Sequence, residues 1–252
     1  MTFEHPAPMQ YPQLLALWKT AFGDHGGFWE MFLETAFLPD HCRCIVERGE
    51  LTAAMYWFDC RCEGQKTAYL YAVVTHPDHR GKGLCRKLLA DVHSCLQKNG
   101  YAAAMLVPET ESLRQMYRRL GYEDCTGVSE FSCTASDSPI SLRAIGPEEY
   151  TMLRRELLPA GGVLQEGCNI RFLAEQAQFY TGTQLLMAAW HEEDTLHCME
   201  LLGDPANAPG ILRALNCTQG YFRTPGTDKP FAMFHPLTET APKPVYFGFA
   251  FD

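Results

Sequence analysis

The chain has 252 residues, of which 46% are hydrophobic and 20% charged, and its formal net charge at pH 7 is -9. This composition is typical of a globular protein with one large domain or two small ones, and the acidic balance argues against a general binder of nucleic acids or anionic membranes. The N-terminus has no basic segment followed by an apolar one, and no apolar run approaches membrane-spanning length, so the sequence predicts a cytoplasmic protein without a signal peptide.

The chain contains 11 cysteines. Their odd number and irregular spacing, without a secretion signal, indicate reduced thiols rather than a disulfide framework. Two C-x-C pairs, Cys42/Cys44 and Cys60/Cys62, lie in segments with strand patterns, where alternate residues share a face. Structural zinc sites usually have two to four residues between their cysteines, so we expect half-buried strand cysteines here and no metal.

Helical and extended patterns alternate along the first half of the chain. Helical spacing of apolar residues predicts helices over "YPQLLALWKTAF", "GLCRKLLADVHSCLQKNG" and "SLRQMYRRLG". Extended patterns predict strands over "CRCIVE" and "LTAAMYWFDCRC", joined in a hairpin around Gly49, and over "TAYLYAVV" and "YAAAMLV". Strands that alternate with helices indicate an α/β or α+β fold with some parallel pairing.

The segment "HPDHRGKGLCR" connects a predicted strand that ends at Thr75 to a helix that begins near Gly83. The first N–H groups of a helix have no partner within it, and the helix dipole adds positive potential there. Gly81 and Gly83 let the backbone approach a ligand closely. Positive charge comes from Arg80, Lys82 and Arg86. Together these features predict a pyrophosphate site.

The loop does not match two other nucleotide-binding patterns. The P-loop pattern G-x-x-x-x-G-K-[ST] is absent, and "GKGLCR" lacks the third glycine of the dinucleotide pattern G-x-G-x-x-G. An oxidoreductase that binds a dinucleotide here is therefore disfavoured. A glycine-containing turn with solvated charges is the alternative without a ligand.

The loop resembles the phosphate loop of the GNAT acyl-CoA N-acyltransferases, R/Q-x-x-G-x-G/A, which lies between the fourth strand and the third helix of that family. Here it reads RGKGLC from Arg80, preceded by Pro77. The later segment "MYRRLGY" resembles the family's l-Y-x-x-l-G-F. The resemblance covers about residues 1–135. Cys85 replaces the final Gly/Ala, and Thr110 stands where members often carry asparagine.

The resemblance implies that acetyl-CoA is the co-substrate. Its pantetheine arm would pair with the end of the fourth strand like an added strand, and the loop backbone would hold the pyrophosphate. The implied cofactor-binding residues are Val73, Val74, Thr75, Arg80, Gly81, Lys82, Gly83, Leu84, Cys85 and Arg86.

Tyr117 is the implied catalytic residue, placed near the coenzyme sulfur. A phenol has a reference pKa of ~10, so it stays protonated at neutral pH and can donate to a leaving thiolate. Read without the neighbouring motifs, Tyr117 would be a core aromatic on a helix stripe. No acidic residue lies within "AYLYAVV" to serve as a base. The local candidates are Glu109, Asp78, His76 and His79, and none is assigned.

The second half shows a faint repeat of the first after a linker at residues 136–146. The matching segments are Pro8-x-x-Tyr11-x-x-Leu14 with Pro147-x-x-Tyr150-x-x-Leu153, "AAMYW" with "LMAAW", "HPDHRGKGLCR" with "DPANAPGILR", and Gly100-Tyr101 with Gly220-Tyr221. In the copy, Ala208-Pro209 replaces the basic R-G-K, and proline has no N–H to donate.

We therefore expect a GNAT fold over residues 1–135, with a central mixed sheet flanked by helices, and a degenerate GNAT-like domain without the phosphate loop over 147–252. The alternative for the second half is an unrelated α+β domain. The aromatics near the C-terminus are expected mostly in strand cores, with some lining a cleft.

The predicted function is N-acyl transfer, specifically the transfer of an acetyl group from acetyl-CoA to a primary amine by direct attack in a ternary complex. Direct attack is expected because no residue stands out as an acyl-carrying nucleophile. The alternative is a non-enzymatic acyl-CoA-binding sensor or regulatory protein. The acceptor is expected to be a small molecule or a peptide, with neither nucleic acid nor membrane as a partner. The acceptor's identity, the acyl chain and the oligomeric state stay open.

Overall fold

The computed structural model describes residues 1–23 and 26–251 of the chain. Two mixed β-sheets flanked by helices form the molecule, which confirms the expected α/β class. The helices are α1 (Tyr11–Phe22), α2 (Phe28–Thr35), α3 (Leu84–Lys98), α4 (Glu111–Arg119), α5 (Pro147–Leu157), α6 (Cys168–Ala174) and α7 (Ala208–Ala214). None of these described helices combines the length and apolar character needed to cross a bilayer.

The first sheet has eight strands, and the second has seven. The first contains β1 (Thr2–Glu4), β2 (Cys42–Glu47), β3 (Glu50–Cys62), β4 (Gln65–Thr75), β5 (Ala103–Leu106), β6 (Glu123–Asp124), β9 (Val163–Gln165) and β15 (Met233–Pro236). The second contains β7 (Gly127–Thr134), β8 (Arg143–Ile145), β10 (Gln178–Gly182), β11 (Leu185–Glu192), β12 (Thr195–Leu202), β13 (Gln219–Pro225) and β14 (Lys229–Pro230).

The helices and strands expected in the first half are all present. The apolar stripe of α3 is buried, as its helical spacing requires; its members are Leu84, Leu88, Val92 and Leu96. The hairpin between β2 and β3 turns at Gly49, whose φ of +86° lies in the left-handed region that favours glycine. Local patterns therefore suffice to locate these elements.

The two sheets have the same order of strands. The first runs β1-β2-β3-β4-β5-β15-β6, and the second, read from its far edge, runs β8-β10-β11-β12-β13-β7-β14. Each has one parallel pair at the same place, β4 with β5 and β12 with β13. The matching sequence segments lie on elements that correspond in this order: α1 with α5, and β3 with β11.

Each sheet is completed by a strand from the other half of the chain. β15, near the C-terminus, inserts between β5 and β6, whereas β7, from the first half, pairs with β13. The expected boundary at residue 135 therefore does not follow the sheets, since β7 lies in the second sheet. The expected linker at 136–146 also contains β8.

The hydrophobic core has three parts. One cluster joins the two halves and includes Trp18 and Phe32 from the first half with Phe172 and Phe249 from the second. A second cluster lies between the first sheet and helices α3 and α4, and a third lies between the second sheet and α7. Because the first cluster draws on both halves, it packs the two halves against each other.

The C-terminal aromatics are buried, but most lie outside strands. Phe247, Phe249 and Phe251 are at most 7% exposed, although residues 247–251 form no strand. The expectation of strand cores was therefore wrong for this segment. It packs as an irregular chain between the halves, held by main-chain bonds such as that from Val163 N–H to the Tyr246 carbonyl at 2.8 Å.

Candidate active site

The parallel strands β4 and β5 separate before β4 ends. They pair only where residues 67–69 face residues 103–105. β5 ends at Leu106, whereas β4 continues to Thr75. In the described part of the chain no strand pairs with this last stretch of β4 on the β5 side, so those main-chain groups of Val73 to Thr75 that point away from β3 have no strand partner.

A bulge in β4 coincides with this separation. Ala54 pairs with Val74 and Tyr56 with Tyr71, so two residues of β4 lie opposite the single residue Met55. One of these two, Ala72, has a φ of +48°, in the left-handed region that non-glycine residues rarely adopt. Since a bulge bends its strand, this feature turns β4 locally and helps to open the slot next to β5.

The loop after β4 has the geometry expected for binding an anion. Residues 77–79 form a short 3₁₀ turn, and Gly81 and Gly83 then take φ values of +74° and +72°. A Cβ added at either glycine would meet no atom within 4 Å, so the space beside the loop is open. Gly83 precedes α3 directly, and no side chain caps that helix. The first N–H groups of α3 are therefore available to a ligand.

Basic side chains surround this loop. Arg80, Lys82 and Arg86 are exposed. Arg80 Nε donates to the Thr75 carbonyl at 3.3 Å, and Lys82 Nζ donates to the Asp78 carbonyl at 2.9 Å. These two bonds join the guanidinium and ammonium groups to the backbone of the loop, where they add to the potential of the helix terminus.

Cys85 and Leu84, the remaining predicted residues of the loop, lie in the first turn of α3. Leu84 is buried in the core, and Cys85 is half-buried. Burial raises the pKa of the Cys85 thiol to about 11, so this cysteine stays protonated at neutral pH. Such a thiol is a poor nucleophile.

A cleft of about 610 Å³ begins at the open slot between β4 and β5. Its lining residues are Trp18, Ala21, Phe22, Phe28, Tyr69, Leu70, Tyr71, Ala72, Val73, Leu106, Val107, Pro108, Glu109, Leu113, Tyr117, Gln176, Ala250 and Phe251. They come from both halves of the chain. This size is within the range of small-molecule sites, ~300–1,000 Å³.

Tyr117 lies in the wall of this cleft, on α4. Its side chain is 6% exposed, and its ring packs against Tyr122 at a centroid distance of 5.7 Å. Burial first, and the neighbouring Cys85 thiol second, raise the pKa of the Tyr117 phenol well above its usual value. Tyr117 is thus a packed aromatic at the cleft whose phenol stays protonated at neutral pH.

Glu109 is the one of the four candidate bases that lines the cleft. The other three lie around the loop. His79 Nδ1 is 3.6 Å from a carboxylate oxygen of Glu47, and His76 Nδ1 is 3.9 Å from that of Asp78. Of the four candidate bases, only Glu109 is therefore placed next to the space where an acceptor amine could bind.

Thr110, next in the chain, caps α4. Its Oγ1 accepts a hydrogen bond from the Leu113 N–H at 3.2 Å, which satisfies one of the orphan donors of that helix. The side chain that departs from the family pattern therefore holds the N-terminus of the helix that carries Tyr117.

The corresponding loop of the second half has no open cradle. α7 follows the turn at residues 205–207 directly and has only seven residues. The segment that links the halves covers its start: Ser136 N–H donates to the Pro209 carbonyl at 3.0 Å, and a Cβ on Gly210 would lie 2.6 Å from Ile140. The linking segment therefore lies directly against the start of α7, where a phosphate would have to approach.

The four C-x-C cysteines are all buried strand residues. Their exposure is at most 3%, lower than the half-buried positions expected. Burial raises the pKa of Cys62 to about 11 and that of Cys44 to about 12, which disfavours the thiolate that a metal would need. Among residues 1–23 and 26–251, no group of three or more metal-binding side chains comes together.

Several cleft residues were not identified from the sequence. The spacing of "YPQLLALWKTAF" placed Trp18 on a helix stripe, but its position at the cleft depends on how α1 packs on the sheet. Phe251 reaches the cleft from the far end of the chain. No local pattern marks such residues, since the contacts that bring them together are long-range.

A family model for the GNAT acetyltransferase domain matches residues 4–125. Residues 4–125 form a GNAT acetyltransferase domain. The match includes the loop and the segment with Tyr117, the two motifs that carry the resemblance. The matched domain accordingly supports an acyltransferase enzyme. A comparison with curated protein sequences gave no match.

Solved structures of GNAT proteins resemble the whole chain. A GCN5-related N-acetyltransferase from Anabaena variabilis superposes with a TM-score of 0.75 at 12% identity, covering 94% of this chain and 73% of that one. One from Kribbella flavida gives 0.71 at 17% identity, covering 94% and 72%. One from Sphaerobacter thermophilus gives 0.53 at 11% identity and covers 99% and 98%. At these identities the likeness concerns the fold, and it extends over both halves.

Proposed function

We propose that the protein transfers an acetyl group from acetyl-CoA to a primary amine within a ternary complex. The observation that carries this proposal is one continuous path. It leads from the open helix terminus at Gly83, along the edge of β4 that β5 leaves unpaired, to a cleft lined by Tyr117. A long co-substrate with an anionic end and a reactive thioester end fits that path.

The described residues fit coenzyme A. The backbone from Gly81 to Arg86 would hold the pyrophosphate, because the N–H groups at the start of α3 lack helical partners. The β4 backbone from Val73 to Thr75 would pair with the amide groups of the pantetheine arm. The exposed Arg80 and Lys82 would add charge close to the phosphates.

In the reaction, the nitrogen of the amine attacks the thioester carbonyl carbon, a C–N bond forms, and the C–S bond breaks. The leaving sulfur takes a proton from the Tyr117 hydroxyl, whose buried phenol is protonated at neutral pH. The proton shed by the nitrogen passes to water at the rim, where Glu109 stands exposed. Tyr117 regains its proton from solvent before the next turnover.

We further propose that residues 1–135 supply the catalytic machinery and that residues 147–252 form a degenerate GNAT-like partner. The shared strand order of the two sheets supports this proposal, as does the covered start of α7. The second half contributes β15 to the first sheet and contributes Gln176 and Phe251 to the wall of the cleft. Its role is to complete the catalytic half and shape the acceptor side.

The test is a turnover assay with acetyl-CoA and a panel of primary amines, monitored by the release of free thiol. We expect saturable thiol release with at least one amine and formation of the N-acetyl product. Coenzyme binding without turnover of any amine would favour an acyl-CoA sensor instead. Absence of coenzyme binding would reject the site altogether.

A further inference from the structure

The cleft connects opposite faces of the first sheet. Tyr69 and Tyr71, two residues apart on β4, face the core shared by the two halves, whereas Leu70 and Val73 pack with α3 and α4 on the other face. All four line the cleft. The anion-binding loop and Tyr117 belong to the α3/α4 face. An acceptor must therefore enter from the face of α1 and α2.

The mouth on the α1/α2 face is built from aromatic rings. It is lined by Trp18, Phe22, Phe28, Tyr69, Tyr71 and Phe251. Trp18 lies 5.2 Å from Phe22 and 6.0 Å from Phe28 between ring centroids, and 5.8 Å from Tyr71. Phe22 is 40% exposed, so the outer part of this surface is accessible to a ligand.

These rings pack against one another and against the buried Phe172, which fixes their positions. Phe251 contacts Phe172 at 4.7 Å and Tyr71 at 5.8 Å between centroids, and its N–H donates to the Tyr69 hydroxyl at 3.2 Å. Phe28 contacts Phe172 at 5.6 Å. A preformed wall of rings favours a flat apolar ligand, because aromatic groups gain from stacked and edge-to-face contacts and the wall loses little freedom on binding.

Charged side chains are scarce among the described residues that line this cleft. Among the described lining residues, Glu109 is the only charged side chain. An acceptor with several ammonium groups would lose hydration on entering without finding several carboxylates to replace it. An acceptor with a single amine meets no such penalty once that amine is neutral. The apolar walls favour the neutral form, which is the form that attacks a thioester.

We infer that the acceptor is a small primary monoamine attached to an aromatic or similarly flat apolar body, which packs among Trp18, Phe28 and Phe251 while its amine points toward the slot between β4 and β5. This inference rests on the proposed acetyl transfer. Polyamines, aminoglycosides and basic peptides are disfavoured acceptors because each brings further positive charges into an apolar space.

The test compares acceptors at one acetyl-CoA concentration, with coenzyme binding measured separately by calorimetry. We expect kcat/KM for 2-phenylethylamine and tryptamine to exceed that for spermidine, kanamycin and a lysine peptide. The difference should be roughly tenfold or more, which corresponds to the free energy gained by burying one aromatic ring. Equal or higher kcat/KM with any of the charged acceptors overturns the inference. So does coenzyme binding without turnover of the aromatic amines, whereas loss of coenzyme binding refutes the proposed function itself.

Substitutions of Phe28 test where the acceptor binds. Phe28→Ala should raise KM for 2-phenylethylamine about tenfold and leave coenzyme affinity within about twofold, since Phe28 lies on the acceptor face. The conservative Phe28→Leu should restore part of the loss, which checks that folding is intact. Tyr221→Ala is the matched control, because this tyrosine is 54% exposed on the second sheet, away from the cleft. An unchanged KM in Phe28→Ala, or the same rise in Tyr221→Ala, contradicts the placement.

Discussion

Arg154 and Glu200 form an ion pair in which both side chains are completely buried. Arg154 Nε lies 2.8 Å from one carboxylate oxygen of Glu200, and Nη2 lies 2.9 Å from the other. The hydroxyls of Tyr150 and Tyr246 donate to the same carboxylate at 2.5 Å and 3.1 Å. A Cβ on Gly248 would lie 1.7 Å from Glu200 Oε1, so the C-terminal segment crosses the pair without room for a side chain.

This ion pair ties the two sheets together. Glu200 is on β12 of the second sheet, whereas Arg154 Nη1 donates to the Val163 carbonyl on β9, a strand of the first sheet, at 3.1 Å. The acceptor wall includes Phe251, which follows Gly248 by three residues. The network therefore holds the segment that shapes the cleft.

Arg154→Met should destabilise the fold by about 3–5 kcal/mol, because it leaves the Glu200 carboxylate buried without its cation. Chemical denaturation measures the change. Arg143→Met is the control, since Arg143 forms an exposed pair with Glu149 and should alter stability little. Adding Glu200→Leu to Arg154→Met should recover part of the loss, since it removes the unpaired charge. A single variant as stable as the parent would contradict the importance of this pair.

Gly83→Ala should weaken acetyl-CoA binding, although it should lower the stability of the free protein no more than the control Gly64→Ala does. Alanine is strained at a φ of +72°, and its Cβ would occupy the open space beside the loop. Gly64→Ala is the matched control: its φ of +79° and open surroundings are alike, but it lies at the other end of β4. We expect acetyl-CoA to raise Tm in the parent and in Gly64→Ala, and much less in Gly83→Ala. Equal shifts in both variants would place the phosphates elsewhere.

One molecule of coenzyme should bind to each chain. The start of α7, which corresponds to the cradle at α3, is covered by residues 136–140 and includes Pro209, which has no N–H. Calorimetry with CoA gives the stoichiometry. Two equivalent sites per chain would show that the second half binds coenzyme after all.

Stability should fall as the pH drops from about 6.5 to about 4, partly through His93. Burial, and then the neighbouring His235, lower the pKa of His93 to about 4 in the folded protein from an ordinary 6.5. The unfolded chain therefore binds more protons in that window, so acid favours unfolding by up to ~3 kcal/mol, while above pH 6.5 the effect vanishes. Denaturation of His93→Gln between pH 7 and 4.5 should show a shallower dependence than the parent; an identical dependence would assign it to other groups.

Local patterns in the sequence were sufficient for much of the fold. The apolar stripe of α3, the hairpin at Gly49 and the glycines of the loop each act within a few residues, so spacing alone predicts them. The insertion of β7 into the second sheet and of β15 into the first could not be predicted in this way. A strand that reads "MFHP" carries no sign of its partner, because pairing with β5 is set by the packing of the whole chain.

The candidate site also combines residues that local patterns predict with residues that only long-range contacts bring together. The motifs around Arg80 and Tyr117 are contiguous and could be matched to a family. The acceptor wall, with Trp18 from α1 and Phe251 from the C-terminus, is assembled only by tertiary contacts. The sequence alone does not distinguish Glu109 from His76 and His79, because only the fold places Glu109 at the cleft.

The role of Tyr117 is tested most directly by Tyr117→Phe, which keeps the ring packing and removes only the hydroxyl. Steady-state kinetics with the best amine, beside a coenzyme titration, should show kcat reduced by roughly 10²-fold or more with coenzyme affinity nearly unchanged, the pattern of an interaction made in the transition state. Tyr122→Phe is the control. It removes the hydrogen bond to His93, but Tyr122 does not line the cleft, so this variant should retain turnover. Turnover of Tyr117→Phe within about threefold of the parent would leave Tyr117 as a core aromatic and contradict the proposed proton donor.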